Sequence, residues 1–194
     1  MTISGRRADM FTADGNPSED DPREHLPHLG DERQTLLTAI QQWRLTLELK
    51  CAGLDAEQMA RRSVEPSTLS LLGLVRHLAE VERNTFRVLL GGENAPKFYC
   101  SPANPDGDFD DATADPAMVE AAWATWRAEV AHSDEVVARY ADLGLTAGDP
   151  ENKHGSGGGD ISVREILAGM IGEYARHMGH ADLLRERIDG RIGQ

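Results

Sequence analysis

Cysteine is almost missing from this sequence: Cys51 and Cys100 are the only two in 194 residues. Two thiols in a chain of this length do not make a disulfide scaffold, and no C-x-x-C spacing offers a structural zinc site. Cys51 is expected to be a small core residue at a helix end. Cys100 is expected to be a free thiol in a loop. Positive charge is scarce too. The formal net charge is −13, lysine is nearly absent beside arginine, and no basic run forms a patch. That balance excludes a phosphate backbone as the main partner, so no nucleic acid is expected. No apolar stretch approaches the ~18 residues of a membrane span. The opening residues also lack the apolar core of an export signal. A reducing cytoplasm is therefore the expected setting.

Sequence features of several common chemistries are absent as well. There is no G-x-S-x-G elbow and no local Cys–His pairing. The glycine run GSGGG at 155–159 lacks the Lys-Ser/Thr ending and the preceding strand of a phosphate loop, so it reads as a flexible connection.

What is present is helical periodicity. Forty per cent of the residues are hydrophobic, enough for a core, and they fall into four stripes of helical spacing. The first helix is expected over about 32–51, capped by Asp31 with Gln34 three residues on, and striped by Leu36, Leu37, Ile40, Trp43, Leu47 and Cys51. The second is expected from near Ser67, after Pro66, to Gly91–Gly92, with the stripe Leu71, Leu74, Leu78, Val81, Thr85 and Val88. The third starts at Pro116 with Asp115 as cap and carries Met118, Val119, Ala122, Trp126, Val130 and Val137. The fourth opens on the capping-box pattern Ser162-Val163-Arg164-Glu165 and stops before Gly190. With no convincing strand, the predicted fold is all-α, a four-helix bundle over 29–194. Residues 1–28, rich in Asp, Glu, Pro and Gly, read as a disordered or surface-draped tail. A long polar loop, 92–114, joins the second and third helices.

The segment EYARHMGH, 173–180, concentrates acid–base and ligand chemistry near the C-terminus. At about 100° per residue, Glu173 and His177 lie nearly one above the other, at the edge of the apolar arc of Ile166, Met170, Tyr174 and Leu184. His180 lies further out, and Arg176 points away. His77 stands at the matching edge of the second helix. His77, Glu173 and His177 are thus candidate metal ligands, three groups that would leave open positions for water or substrate. Imidazole and carboxylate together suit zinc, nickel or iron. The same spacing also fits the polar rim of an ordinary helix, where an i, i+4 Glu–His pair is a surface contact. His132 and His154 read as exposed or loop residues, and Glu80 and Glu82 as solvated. Trp43, Trp123 and Trp126 read as packing residues. Arg44 and Arg185 suit an anionic substrate or salt bridges equally well.

The segments VEPSTLSLLGLVRHLAEVER (64–83) and ISVREILAGMIGEYARHMGHADLLRERIDG (161–190) resemble the DinB/YfiT-like superfamily of metal-binding helical bundles. ERQTLLTAIQQWRLTLELKCAGL (32–54) agrees in character. The resemblance implies metal ligands at His77, Glu173 and His177, with glutamate where many members carry histidine. The related mycothiol-dependent maleylpyruvate isomerase uses a His–Glu–His set, so Glu173 suits a zinc site. The resemblance further implies a divalent metal ion, zinc foremost, with mycothiol as a thiol co-substrate. The function implied is metal-dependent thiol chemistry, a transferase or isomerase acting on an electrophilic small molecule. The alternatives are a non-catalytic metal-binding or stress-associated protein, and a structural helical homodimer without metal.

Overall fold

The structure, a computed structural model, describes residues 21–148, 151 and 160–192. Among these it is all-α. The helices are α1 (Glu32–Cys51), α2 (Ala56–Ala60), α3 (Leu71–Glu82), α4 (Gly107–Asp110), α5 (Pro116–Ala138) and α6 (Val163–Asp189). An isolated antiparallel β-bridge joins Thr146 to Ser162. Most of the expected tail, residues 1–20, lies outside the described residues, as do GSGGG and His154. Of the remainder, Pro22–His25 forms a 3-10 turn held to α1 by a bond from Arg23 to Thr46 at 3.3 Å.

Helix starts follow the local chemistry. The side chain of Asp31 accepts from Gln34 N, and that of Asp115 accepts from Ala117 N, with Pro116 in the first turn of α5. Ser162 and Glu165 form a reciprocal capping box on α6. Each cap satisfies amide groups that the helix leaves without partners.

The second expected helix ends at Gly91 as expected but differs in its start and in the form of its last turns. It starts at Leu71, capped by Ser70, rather than near Ser67. Ser67 instead closes a turn around Pro66, its N–H bonding Val64 O at 2.9 Å. Beyond Glu82 the chain continues as a π-helical stretch, Arg83–Leu90. A π turn holds more residues than an α turn, so a stripe extrapolated at α spacing loses phase. The inward residues are therefore Phe86 and Leu90, whereas Val88 is exposed and Thr85 half-buried.

The long helices pack pairwise. α1 lies along α6, α3 and its π extension lie along α5, and α3 also meets α6. Leu71, Leu74, Leu78, Phe86, Trp126, Leu167, Met170 and Tyr174 belong to the shared core. Trp126 is buried and meets the half-buried Trp123 edge-on, while Trp43 is half-buried against the core, so the tryptophans do serve packing.

One polar group sits inside this core. Glu82, expected to be solvated, is 0 % exposed. Arg44 of α1 grips its carboxylate with two bonds of 2.8 Å. Ser133 of α5 stands 2.7 Å from Oε2, and the Tyr174 hydroxyl of α6 donates to Oε1 at 2.7 Å. A buried carboxylate persists only when paired and hydrogen-bonded, and here all the long helices contribute to that pairing. Burial works against the Arg44 charge, but the Glu82 carboxylate outweighs it and raises the Arg44 pKa. Arg44 is committed inside the fold, as is Arg185, which bonds Asp189 and the carbonyls of Lys50 and Ala52. Neither is available to a substrate. Glu80 is buried as well, with Oε1 accepting from Tyr99 N at 2.5 Å.

Candidate metal centre

α3 and α6 bring the three sequence-predicted residues together. The donor atoms of His77, Glu173 and His177 all lie within 4.8 Å of one another, a group that can hold a metal ion. His77 Nε2 is 3.3 Å from Glu173 Oε1, and His177 Nε2 is 3.0 Å from the same oxygen. Donors bound to one tetrahedral zinc at its usual bond lengths stand roughly 3.4 Å apart, so the set fits a small divalent cation in spacing as well as chemistry. The rings of His77 and His177 are tilted against each other, centroids 4.7 Å apart.

The site lies at the edge of the core. The side chains of His77 and Glu173 keep 23 % and 22 % of their exposure, while His177 keeps 7 %. Cavities of about 560 and 590 Å³ flank α1, but neither is lined by the three donors. His77 and Glu173 thus reach solvent at the rim of the core, and His177 lies within it.

A further carboxylate orients the set. Asp108, buried on α4, places Oδ2 2.7 Å from His77 Nδ1. Phe109 stacks on the His77 ring with centroids 5.1 Å apart. Arg76 clamps α4 to α3 by donating to the carbonyls of Gly107 and Asp108 at 2.8 and 2.9 Å. Glycines permit the close approach. A Cβ at Gly73 would stand 2.7 Å from the Phe109 ring, and one at Gly107 would collide with the Tyr99 carbonyl. Sequence reasoning did not single out Asp108. It sits in what read as a polar loop, 31 residues from its partner, where no periodicity marks it.

The electrostatics follow from this layout. Burial disfavours a charged His77, but hydrogen bonds and charge from Asp108 and Glu173 outweigh it and raise its pKa. Burial, with the neighbouring His77 charge, lowers the His177 pKa to about 4. Burial would raise the carboxylate pKa of Glu173, but His77, His177 and Arg176 together lower it. Asp108 is likewise lowered, its burial offset by His77. Both Nε2 atoms stand within hydrogen-bonding reach of Glu173 Oε1. An ion at the shared point would take the place of those hydrogen bonds.

The remaining polar candidates fall outside the donor cluster. His180 is half-buried, with Nδ1 3.3 Å from His177 Nδ1. Arg176 points away from the apolar arc, exposed to solvent, and its guanidinium reaches Glu173 Oε2 at 2.6 Å. His132 is neither exposed nor in a loop. It is half-buried on α5 and bonds Glu93 at 3.0 Å. Both cysteines are free thiols, Cys51 buried and Cys100 half-buried.

The profile of the mycothiol-S-transferase family matches residues 35–190, from the first turn of α1 to the glycine that ends α6. The chain belongs to the mycothiol-S-transferase family. No curated protein and no solved structure matches it. The match to the mycothiol-S-transferase profile spans His77, Asp108, Glu173 and His177, so the whole cluster lies within the family region. No described helix of this mycothiol-S-transferase family member is long and apolar enough to cross a membrane.

Proposed function

We propose that the chain is a divalent-metal-dependent enzyme that transfers a low-molecular-weight thiol, mycothiol, to an electrophilic small molecule. The observation that carries this reading is the convergence of His77 Nε2, His177 Nε2 and Glu173 Oε1 within the region matched by the family profile. These three residues hold the ion. Zinc is the best match, since two imidazoles and a carboxylate leave a fourth position open; nickel and iron accept the same donors. Bound there, a divalent cation lowers the pKa of a thiol and favours the thiolate.

The chain's own residues prepare that chemistry. Glu173 supplies a negative charge that partly offsets a dication. Asp108 occupies His77 Nδ1 and leaves Nε2 facing the other donors. Phe109 covers one face of the His77 ring. The exposed edges of His77 and Glu173 leave an approach from solvent. In the transfer, the thiol gives up its proton to solvent, the thiolate sulfur bonds to the electrophilic centre, and the leaving group departs with the bonding electrons.

Calorimetry of mycothiol binding to zinc-loaded and chelated protein tests the reading. Binding that requires zinc, and that His177→Ala abolishes, is expected. Equal binding with and without zinc would show that the ion does not present the sulfur. Zinc uptake without thiol binding would leave a metal-binding protein of another kind.

A further inference from the structure

The buried Glu82 carboxylate links the two helices that carry the candidate donors. His77 and Glu82 both stand on α3, and Glu173 and Tyr174 are neighbours on α6. The Tyr174 hydroxyl donates to Glu82 Oε1 at 2.7 Å and accepts from Trp126 Nε1 at 2.9 Å. Tyr174 is 0 % exposed. Its acceptor is itself fixed by Arg44 and Ser133. Apolar packing fills the interior closely but is non-directional, and a hydrogen bond adds a directional constraint to it. A hydrogen bond loses strength steeply as its angle closes. Adjacent helical residues differ by about 100° in direction, so fixing Tyr174 also fixes where Glu173 and His177 point.

We propose that Tyr174 is a positioning residue for the metal centre: its bond to Glu82 sets the rotation of α6 at which Glu173 and His177 face His77. The inference rests on reading those three residues as a metal site. The simpler account is that Tyr174 merely satisfies a buried carboxylate. Its loss would then lower stability and nothing else. Tyr140 provides the comparison. It is 2 % exposed, and its hydroxyl bonds the Leu90 carbonyl at 2.5 Å and accepts from Gly148 N at 2.9 Å.

The test compares full-length Tyr174→Phe and Tyr140→Phe with the wild type in three measurements. These are the melting temperature, the zinc affinity by chelator competition, and the carbethoxylation rate of His177 in chelated protein, followed by peptide mass spectrometry. His177 is only 7 % exposed, so its modification is slow in the wild type. Both variants should melt earlier. Only Tyr174→Phe should weaken zinc, by about tenfold as for other groups that orient ligands, and speed His177 modification severalfold. A His177 rate in Tyr174→Phe no higher than in Tyr140→Phe overturns the proposal, whatever zinc does. If the wild type takes up no zinc, the metal reading fails, and the His177 rate still decides the role of Tyr174. Should Tyr174→Phe not fold, Tyr174→Met removes the same hydroxyl with a side chain that adapts to the gap and is judged by the same rate.

Discussion

Asp108 Oδ2 lies 2.7 Å from Nδ1 of His77, and this contact decides which nitrogen of His77 faces Glu173. A histidine ligand is commonly oriented by a carboxylate on its other nitrogen, which fixes the ring and strengthens the donor. The carboxylate arrives here on α4, a four-residue helix held in place by Arg76.

Asp108→Asn keeps the size of the side chain and removes its charge. Zinc affinity is expected to fall by roughly 10–100-fold, with helix content unchanged. Competition titration beside circular dichroism checks both. Unaltered affinity would mean that Asp108 does not orient a ligand.

Glu173→Gln removes a charge from the donor set itself. Its effect on zinc affinity should exceed that of Asp108→Asn, again with the fold intact. Glu173→His should retain binding, because imidazole is also a zinc donor. If Glu173 were only a rim residue, both substitutions would leave metal content unchanged and shift stability by less than about 0.5 kcal/mol.

Chelated protein should lose stability as pH falls from about 6.5 toward about 4. The His177 pKa is about 4 in the fold against 6.5 for an ordinary histidine, so within this window the unfolded chain binds the proton and the fold does not. Stability therefore rises with pH there. The raised pKa of His77 acts in the opposite sense, but above this window, where its contribution is lost as pH rises. The lowered pKa values of Asp108 and Glu173 act in the same sense at the acid end, from their ordinary values of 3.8 and 4.5 downward, where their contributions are lost as pH falls. Unfolding free energies from urea titrations at pH 6.5 and 4.5 should differ by about 1–3 kcal/mol in the chelated wild type and by clearly less in His177→Gln. An equal difference in the two proteins would remove His177 as the cause.

The two thiols should separate cleanly. Burial pushes the Cys51 thiol up to about 12, and burial also raises that of the half-buried Cys100. Iodoacetamide at pH 8 should label Cys100 slowly in native protein and reach Cys51 only after unfolding. Native labelling of Cys51 would contradict its packing.

Glu82→Gln should be the most damaging of these substitutions, because it leaves Arg44 buried without its full countercharge. Breaking a buried pair on one side costs about 3–5 kcal/mol, measurable by urea denaturation.

Three of the four expected helix starts were readable because a cap and its target lie within a few residues, as at Asp31, Asp115 and Ser162. The donors were readable for a related reason. Glu173 and His177 are one turn apart, and His77 sits at the edge of a regular stripe. Glu82 and Asp108 were not readable. Burying Glu82 requires Arg44, 38 residues earlier, and Asp108 requires α4 to fold back onto α3. The inward phase beyond Glu82 was also hidden, since the sequence does not announce the π turns that rotate Phe86 and Leu90 into the core.

The Glu82 carboxylate also bears on how the chain assembles. Its partners come from α1, α5 and α6, so docking any two helices on α3 leaves the charge short of a partner in apolar surroundings. A half-satisfied buried charge is costly, and that cost falls on every partly assembled form and not on the complete one. Unfolding of the helical domain should then be a single cooperative transition, with fluorescence of the core tryptophan Trp126 and far-UV helicity lost together. One desolvated charge would make the helices fold as a unit.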